Sequence, residues 1–171
     1  MNEFRYYIKP FIDEVNKYAK DVHKLNKGVS MDLIEECEEK LGIRLPLTYK
    51  YFLMMYNGGE LFALPSGTVL SEIYIESNGL RKKGVPYLDE VLNKDRRWSE
   101  LPSEYIIIAD TCDGDVICID LNNSNINEAR IVKWSHEEGK VVESWDKLID
   151  WLMDEMEIGA MITNYDGTDK E

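Results

Sequence analysis

The sequence predicts one α+β domain, a mainly antiparallel sheet covered by helices, and three observations lead there. Helical patterning fills the first third of the chain, period-two and hairpin signals replace it from Glu60 to Glu143, and a single helical pattern closes the sequence. At 171 residues the chain supplies one core rather than two. Hydrophobic residues make up 44% and aromatics 11%, against only 5 Pro and 11 Gly, which excludes collagen-like, low-complexity and wholly disordered classes.

Phe11, Val15, Tyr18, Val22 and Leu25 recur at alternating spacings of four and three, which predicts an amphipathic helix ended by Lys27-Gly28. Ser30 caps the next helix, Met31 to Leu41, with Ile34, Cys37 and Leu41 on one face and Glu35, Glu36, Glu38 and Glu39 turned outward; Gly42 supplies a left-handed stop. Pro46 suits the first turn of a third helix, where its missing N–H costs nothing. Tyr49, Phe52, Leu53 and Tyr56 form the core stripe of that helix and Asn57-Gly58-Gly59 its end.

Leu61 to Leu64 and Ser71 to Glu76 read as short strands on either side of Pro65-Ser66-Gly67. Residues 77–104 read as a long connection over the sheet, with Asn78-Gly79, the basic triplet Arg81-Lys82-Lys83, a short helix near Leu88 to Leu92, and Asp95-Arg96-Arg97-Trp98. Asp113-Gly114 is the strongest hairpin signal, between strands Ile106 to Cys112 and Asp115 to Leu121. A two-residue turn there pairs 112 with 115 and puts Cys112 and Cys118 on opposite faces, which excludes a disulfide between them. After the polar loop Asn122 to Asn125, Arg130 to Ser135 forms another strand, and Glu138-Gly139 turns into Val141 to Glu143. Ser144 caps the closing helix, Trp145 to about Ile158, with Trp145, Leu148, Ile149, Leu152 and Met156 inward and Gly159 at its end. The expected organisation is an N-terminal helical extension over 1–28, the domain proper over 29–158, and a polar, mobile tail over 159–171.

Charge narrows the function. With 33 Asp+Glu against 20 Lys+Arg the net charge is −13, and residues 1–28 carry +2 of it while the remainder carries −15. Nucleic acid and anionic membrane surfaces are disfavoured as partners, because either requires a basic face. Three cysteines cannot pair completely and show neither a CxxC nor a zinc-knuckle spacing. The charged N-terminus lacks a signal-peptide core, and no apolar run spans a bilayer, so the expected compartment is the cytoplasm.

No catalytic signature or cofactor motif is present. The two histidines, His23 and His136, sit in unrelated elements without a nucleophile motif. Asp110, Asp113, Asp115 and Asp120 do not fit a calcium loop, and Gly58-Gly59 ends a helix rather than opening one as a phosphate loop does. No metal and no cofactor is expected. One acidic pattern exceeds composition: at 100° per residue Asp146, Asp150, Asp154 and Glu157 share a stripe on the last helix. Each like-charge pair one turn apart costs about 0.2–0.5 kcal/mol in an isolated helix, and Asp154 and Glu157 also oppose the dipole at its C-terminal end. A solvated face explains the stripe blandly; a docking surface for a basic partner explains it functionally.

Three blocks of sequence resemble a known family. Ile34 through Leu45-Pro46, with Tyr49-Lys50-Tyr51-Phe52-Leu53 and Tyr56-Asn57-Gly58-Gly59, is similar to a helix–LP–helix–NGG signature; Ile107-Ile108-Ala109-Asp110 to Gly114 through Asp120 is similar to a central hairpin; Val132-Lys133-Trp134-Ser135-His136-Glu137 followed by Ser144-Trp145 is similar to a final strand and helix start. The family is the SUKH superfamily, which includes fungal cell-wall-assembly regulators and many bacterial immunity proteins. The resemblance implies a SUKH-like fold over most of residues 30–158 and carries no catalytic residue. It also implies a cytoplasmic immunity protein that blocks a cognate toxin domain, often a nuclease, by stoichiometric binding. The expected contact residues, from charge placement, are Asp146, Asp150, Asp154 and Glu157, with Asp113 and Asp115 at the hairpin tip second. Two alternatives stand beside it: an adaptor in cell-envelope or signalling assemblies, and a carboxylate-dependent hydrolase, which needs an acidic pair in a concave pocket.

Overall fold

Seven strands run antiparallel in strict chain order, β1 (Lys24–Lys27), β2 (Tyr56–Leu61), β3 (Thr68–Leu70), β4 (Tyr105–Asp110), β5 (Val116–Asp120), β6 (Ile131–Ser135) and β7 (Lys140–Trp145). The computed structural model describes residues 3–63, 67–90 and 98–171, so Leu64, Pro65, Ser66 and the expected features over 91–97 lie outside the described residues. Helices α1 (Glu3–Tyr7), α2 (Lys9–Val15), α3 (Met31–Leu41), α4 (Leu47–Met55) and α5 (Leu148–Ile162) flank this sheet, giving the expected α+β architecture. β5 is buried at all five positions, Val-Ile-Cys-Ile-Asp, as befits a central strand covered on both faces. Its isoleucines join Leu53, Ile106, Ile131, Leu148 and Trp151 in one continuous core.

Local chemistry accounts for most of the helices. Ser30 caps α3 by accepting the Leu33 N–H, and Gly42 ends it at φ 67°. Pro46 occupies the N-cap of α4, and Tyr49, Phe52 and Leu53 are buried as their spacing predicts. Glu38 departs from the pattern: it is buried rather than outward, and its carboxylate accepts from Lys50 at 2.8 Å, the Leu45 N–H at 2.6 Å and Arg44 at 3.2 Å. That single side chain fixes the Arg44-Leu45-Pro46 link between α3 and α4.

Six further expectations need correction. The helix expected over 11–25 stops at Val15; the chain then turns through Asp21 (φ 84°), and Lys24–Lys27 becomes an edge strand paired with β2. Phe11 and Tyr18 still point inward, but from different elements. Asn57-Gly58-Gly59 lies inside β2 instead of ending a helix. Ser71–Glu76 is not a strand, although Glu72 bridges Tyr87. The β4–β5 hairpin closes at Asp110↔Val116 rather than 112 with 115, because the Thr111 N–H and hydroxyl donate to the Asp115 carbonyl at 3.0 and 2.9 Å and make a five-residue loop. Cys112 is therefore exposed on that loop and Cys118 buried in β5, both as free thiols. Ser144 and Trp145 belong to β7, where Trp145 pairs with Ile131, and α5 begins only at Leu148.

Gly159 does not end α5; it is buried within it, and a Cβ there would stand 2.0 Å from the ring of Phe62. Beyond the helix the chain folds back, with an isolated bridge between Thr163 and Asp169. The Ala19 N–H donates to the Tyr165 carbonyl at 2.6 Å, and the Tyr18 and Tyr165 rings meet edge-on at 5.0 Å.

Candidate docking face on the last helix

Helix α5 has no side-chain cap of its own at Lys147. Glu128 serves instead: its carboxylate accepts the Leu148 N–H at 3.2 Å, while Tyr7 receives the Ile149 N–H at 3.4 Å and donates its own hydroxyl proton to Glu128 at 2.7 Å. A carboxylate at a helix N-terminus is favoured by the exposed N–H groups and the dipole. The same carboxylate also accepts from Thr48 at 3.0 Å in the first turn of α4. Burial and this carboxylate together hold the Tyr7 hydroxyl well above its ordinary pKa. One side chain thus ties α1, α4 and α5 together, and Leu148, Trp151, Leu152, Met156 and Gly159 form the buried face of α5.

The opposite face carries the expected acidic residues, with one exception. Asp150, Asp154 and Glu157 project from it, within about 60° of arc at 100° per residue. Asp146 precedes the helix, exposed in the turn after β7. Asp154 is half-buried and accepts the Trp145 indole N–H at 3.0 Å, which braces the helix against β7. Among the described residues Asp150 and Glu157 are exposed and form no ion pair. Because the helix runs to Ile162, Asp154 stands mid-helix, so the expected clash with the C-terminal dipole is absent for it.

The added turn of helix brings residues that the sequence reading left out. Met161 falls in the same sector as the carboxylates, with Ile158 and Ile162 beside it. These three are 67%, 53% and 61% exposed, so the face grades from acidic to apolar along the helix. The signal was present as apolar residues at i, i+3 and i+4 from Ile158; reading Gly159 as a stop hid it. Glu155, on the flank, is half-buried: burial pushes its carboxyl up, while bonds from Thr68 at 2.7 Å and the Trp151 indole at 3.3 Å pull the other way.

Asp113 and Asp115 belong to a different cluster on the β4–β5 loop. Lys133 donates to Asp113 at 2.9 Å and lies 3.7 Å from Asp115, whose other oxygen contacts the His136 N–H and ring Nδ1 at 3.1 and 2.9 Å. Partial burial opposes ionisation of Asp113, but the Thr111 hydroxyl, Lys133 and the Asp115 N–H outweigh it and hold the carboxyl down to about 2. These two acids spend much of their charge inside the loop. Among the described residues no group of three or more His, Cys, Asp or Glu is placed to hold a metal ion, and no helix is long and apolar enough to cross a membrane.

A family model described as "SMI1 / KNR4 family (SUKH-1)" matches residues 28–154, most of the chain. A crystal structure of a protein from Pseudomonas syringae pv. tomato has a similar fold, with a TM-score of 0.58 and 21% identity over 85% of this chain and 96% of that one. No curated protein matches the sequence.

Proposed function

We propose that this chain, which belongs to the SMI1/KNR4 family (SUKH-1), is a cytoplasmic immunity protein that neutralises a basic toxin domain by stoichiometric binding through the outward face of α5. Members of the family are typically non-enzymatic binding or immunity proteins. The observation that carries the reading is the composition of that face, where the carboxylates of Asp150 and Glu157, without an ion pair among the described residues, adjoin exposed Ile158, Met161 and Ile162. Exposed apolar residues beside a charged rim are how protein interfaces are commonly built, the apolar part giving affinity and the charge giving steering and selectivity. Like-charge repulsion along the helix costs folding energy, which a basic partner would offset on binding. A nuclease that handles phosphate backbones is commonly basic, so this surface imitates the charge of its substrate. Asp146 extends the acidic face at the helix entrance, and Asp113 at the loop tip offers a second point of contact.

The test is to read the gene adjacent to this one for a toxin-like domain and to co-express that domain with this chain. The wild-type chain should restore growth. D150K/E157K should fail to protect while melting at an unchanged temperature, and binding of the purified pair should weaken with a smaller salt dependence. Equal protection by the charge-reversed variant would discard the α5 surface; binding of neither form would discard the immunity reading.

A further inference from the structure

A cleft of about 380 Å³ opens between the end of β1, the start of β2 and the connection that follows β3. Its volume lies in the range of small-molecule sites, and its walls are held in place before any ligand arrives. Asn57 is buried and clamps Ile73 from both ends of its amide, accepting the Ile73 N–H at 2.8 Å and donating to the Ile73 carbonyl at 2.9 Å. Asn26 donates to the Asn57 carbonyl at 3.0 Å and to one oxygen of Glu72 at 2.7 Å. Gly58, at φ 69°, lets β2 pass so close that a Cβ would meet Glu72 Cγ at 2.6 Å. The outer wall is tied as firmly. Tyr74 and Tyr87 meet edge-on at 5.7 Å under the Arg81 guanidinium, which Asp89 and Glu90 hold. Tyr74 donates to the Gly79 carbonyl at 3.0 Å, and Lys82 N–H donates to the Tyr87 hydroxyl at 2.9 Å.

Three groups at this cleft lack partners among the described residues: the ammonium groups of Lys27 and Lys82, and the second oxygen of Glu72. Leu80, at the same mouth, is 92% exposed. In a chain of net charge −13 this is a place where two cations and one carboxylate line the same cleft beside apolar surface. We propose that the cleft binds the carboxyl end of a peptide-like ligand. The ligand carboxylate pairs with Lys27 and Lys82, its adjoining N–H group donates to the open oxygen of Glu72, and its apolar side chain lies against Leu80 and Ile75. The chemistry is shared by a free amino acid and by the last residue of a chain. The cleft shares no residue with the α5 face and stands whether or not that face meets a toxin.

Titration of the ¹⁵N-labelled protein with N-acetyl-L-alanyl-L-leucine, its C-terminal amide and free L-leucine tests the assignment. The acid should shift the amide signals of residues 26–27, 72–75 and 78–82. The amide should bind at least about tenfold more weakly, as should the acid to K27A/K82A, whose exposed substitutions leave the fold intact. Tighter binding of free leucine than of the acetylated dipeptide assigns the site to amino acids, and the reverse order assigns it to chain termini. Equal binding of acid and amide, an unaffected double variant, or no shift in these residues with any probe would overturn the proposal.

Discussion

Glu38 on α3 and Asp150 on α5 are helical carboxylates of the same chain, and their surroundings are opposite. Glu38 is buried and meets Lys50, Arg44 and the Leu45 N–H, so both of its oxygens are used by the fold. Glu128 is its counterpart at the entrance of α5. Asp150 and Glu157 are exposed, unpaired among the described residues, and each one turn from Asp154 on the same face, close enough to repel it. An acid whose partners are all internal holds the structure together; an acid that the fold leaves unpaired, next to exposed apolar residues, is free for something outside it. Net charge alone does not separate the two, and hydrogen-bond accounting does.

Substitutions should therefore divide along the same line. The largest effect is expected at Glu38: E38A strands a half-buried lysine and the buried Leu45 N–H, and chemical denaturation should report a loss of about 3–5 kcal/mol. E128A comes next, at about 1–3 kcal/mol by the same measurement, because the first N–H of α5 and the hydroxyls of Tyr7 and Thr48 lose their acceptor together. D150K/E157K should leave the denaturation midpoint within about 0.5 kcal/mol of wild type, or raise it slightly by relieving repulsion, while slowing association with the partner. M161D should weaken partner binding by raising the dissociation rate and leave the salt dependence unaltered.

Two pH effects involve neither class of helical acid. Burial pushes the His23 imidazole down to about 4, with its Nδ1 accepting the Phe62 N–H at 3.1 Å. The unfolded chain then binds the extra proton first, so stability should fall as pH drops from about 6.5 to about 4, and H23N should flatten that slope in a pH series of melting curves. Asp113 works in the same direction at lower pH. Its folded-state carboxyl is depressed, so the stability it contributes is present above its ordinary value and lost as pH falls toward about 2. D113N should remove only that last part of the acid transition, because the pair is half exposed to solvent.

How much of this was legible beforehand depends on the range of the deciding interaction. Ser30, Gly42 and Pro46 act within a turn of themselves; α3 begins and ends, and α4 begins, where those residues place them. The acidic stripe was legible too, since three of its four members share a helix face. Failures came where a distant partner outbid a local pattern. Residues 24–27 continue a helical spacing, yet pairing with β2 makes them a strand. Gly159 has the composition of a helix stop, yet the ring of Phe62 needs that space and the helix continues past it. Trp145 starts no helix because Ile131 and Asp154 hold it in β7. Glu38 looked like one outward acid among four, and only the approach of Lys50 and Arg44 distinguishes it. The cleft at Asn26 and Glu72 joins residues 46 positions apart and left no trace in spacing.

The sheet's neighbour-to-neighbour order also has a kinetic consequence. From β4 onward each strand pairs with the one synthesised just before it across a loop of modest length, so half of the sheet can zip up from successive hairpins with little conformational search. This topology shortens the interval between emergence from the ribosome and the finished sheet, so β4 to β7 can be in place as soon as the last strand is made.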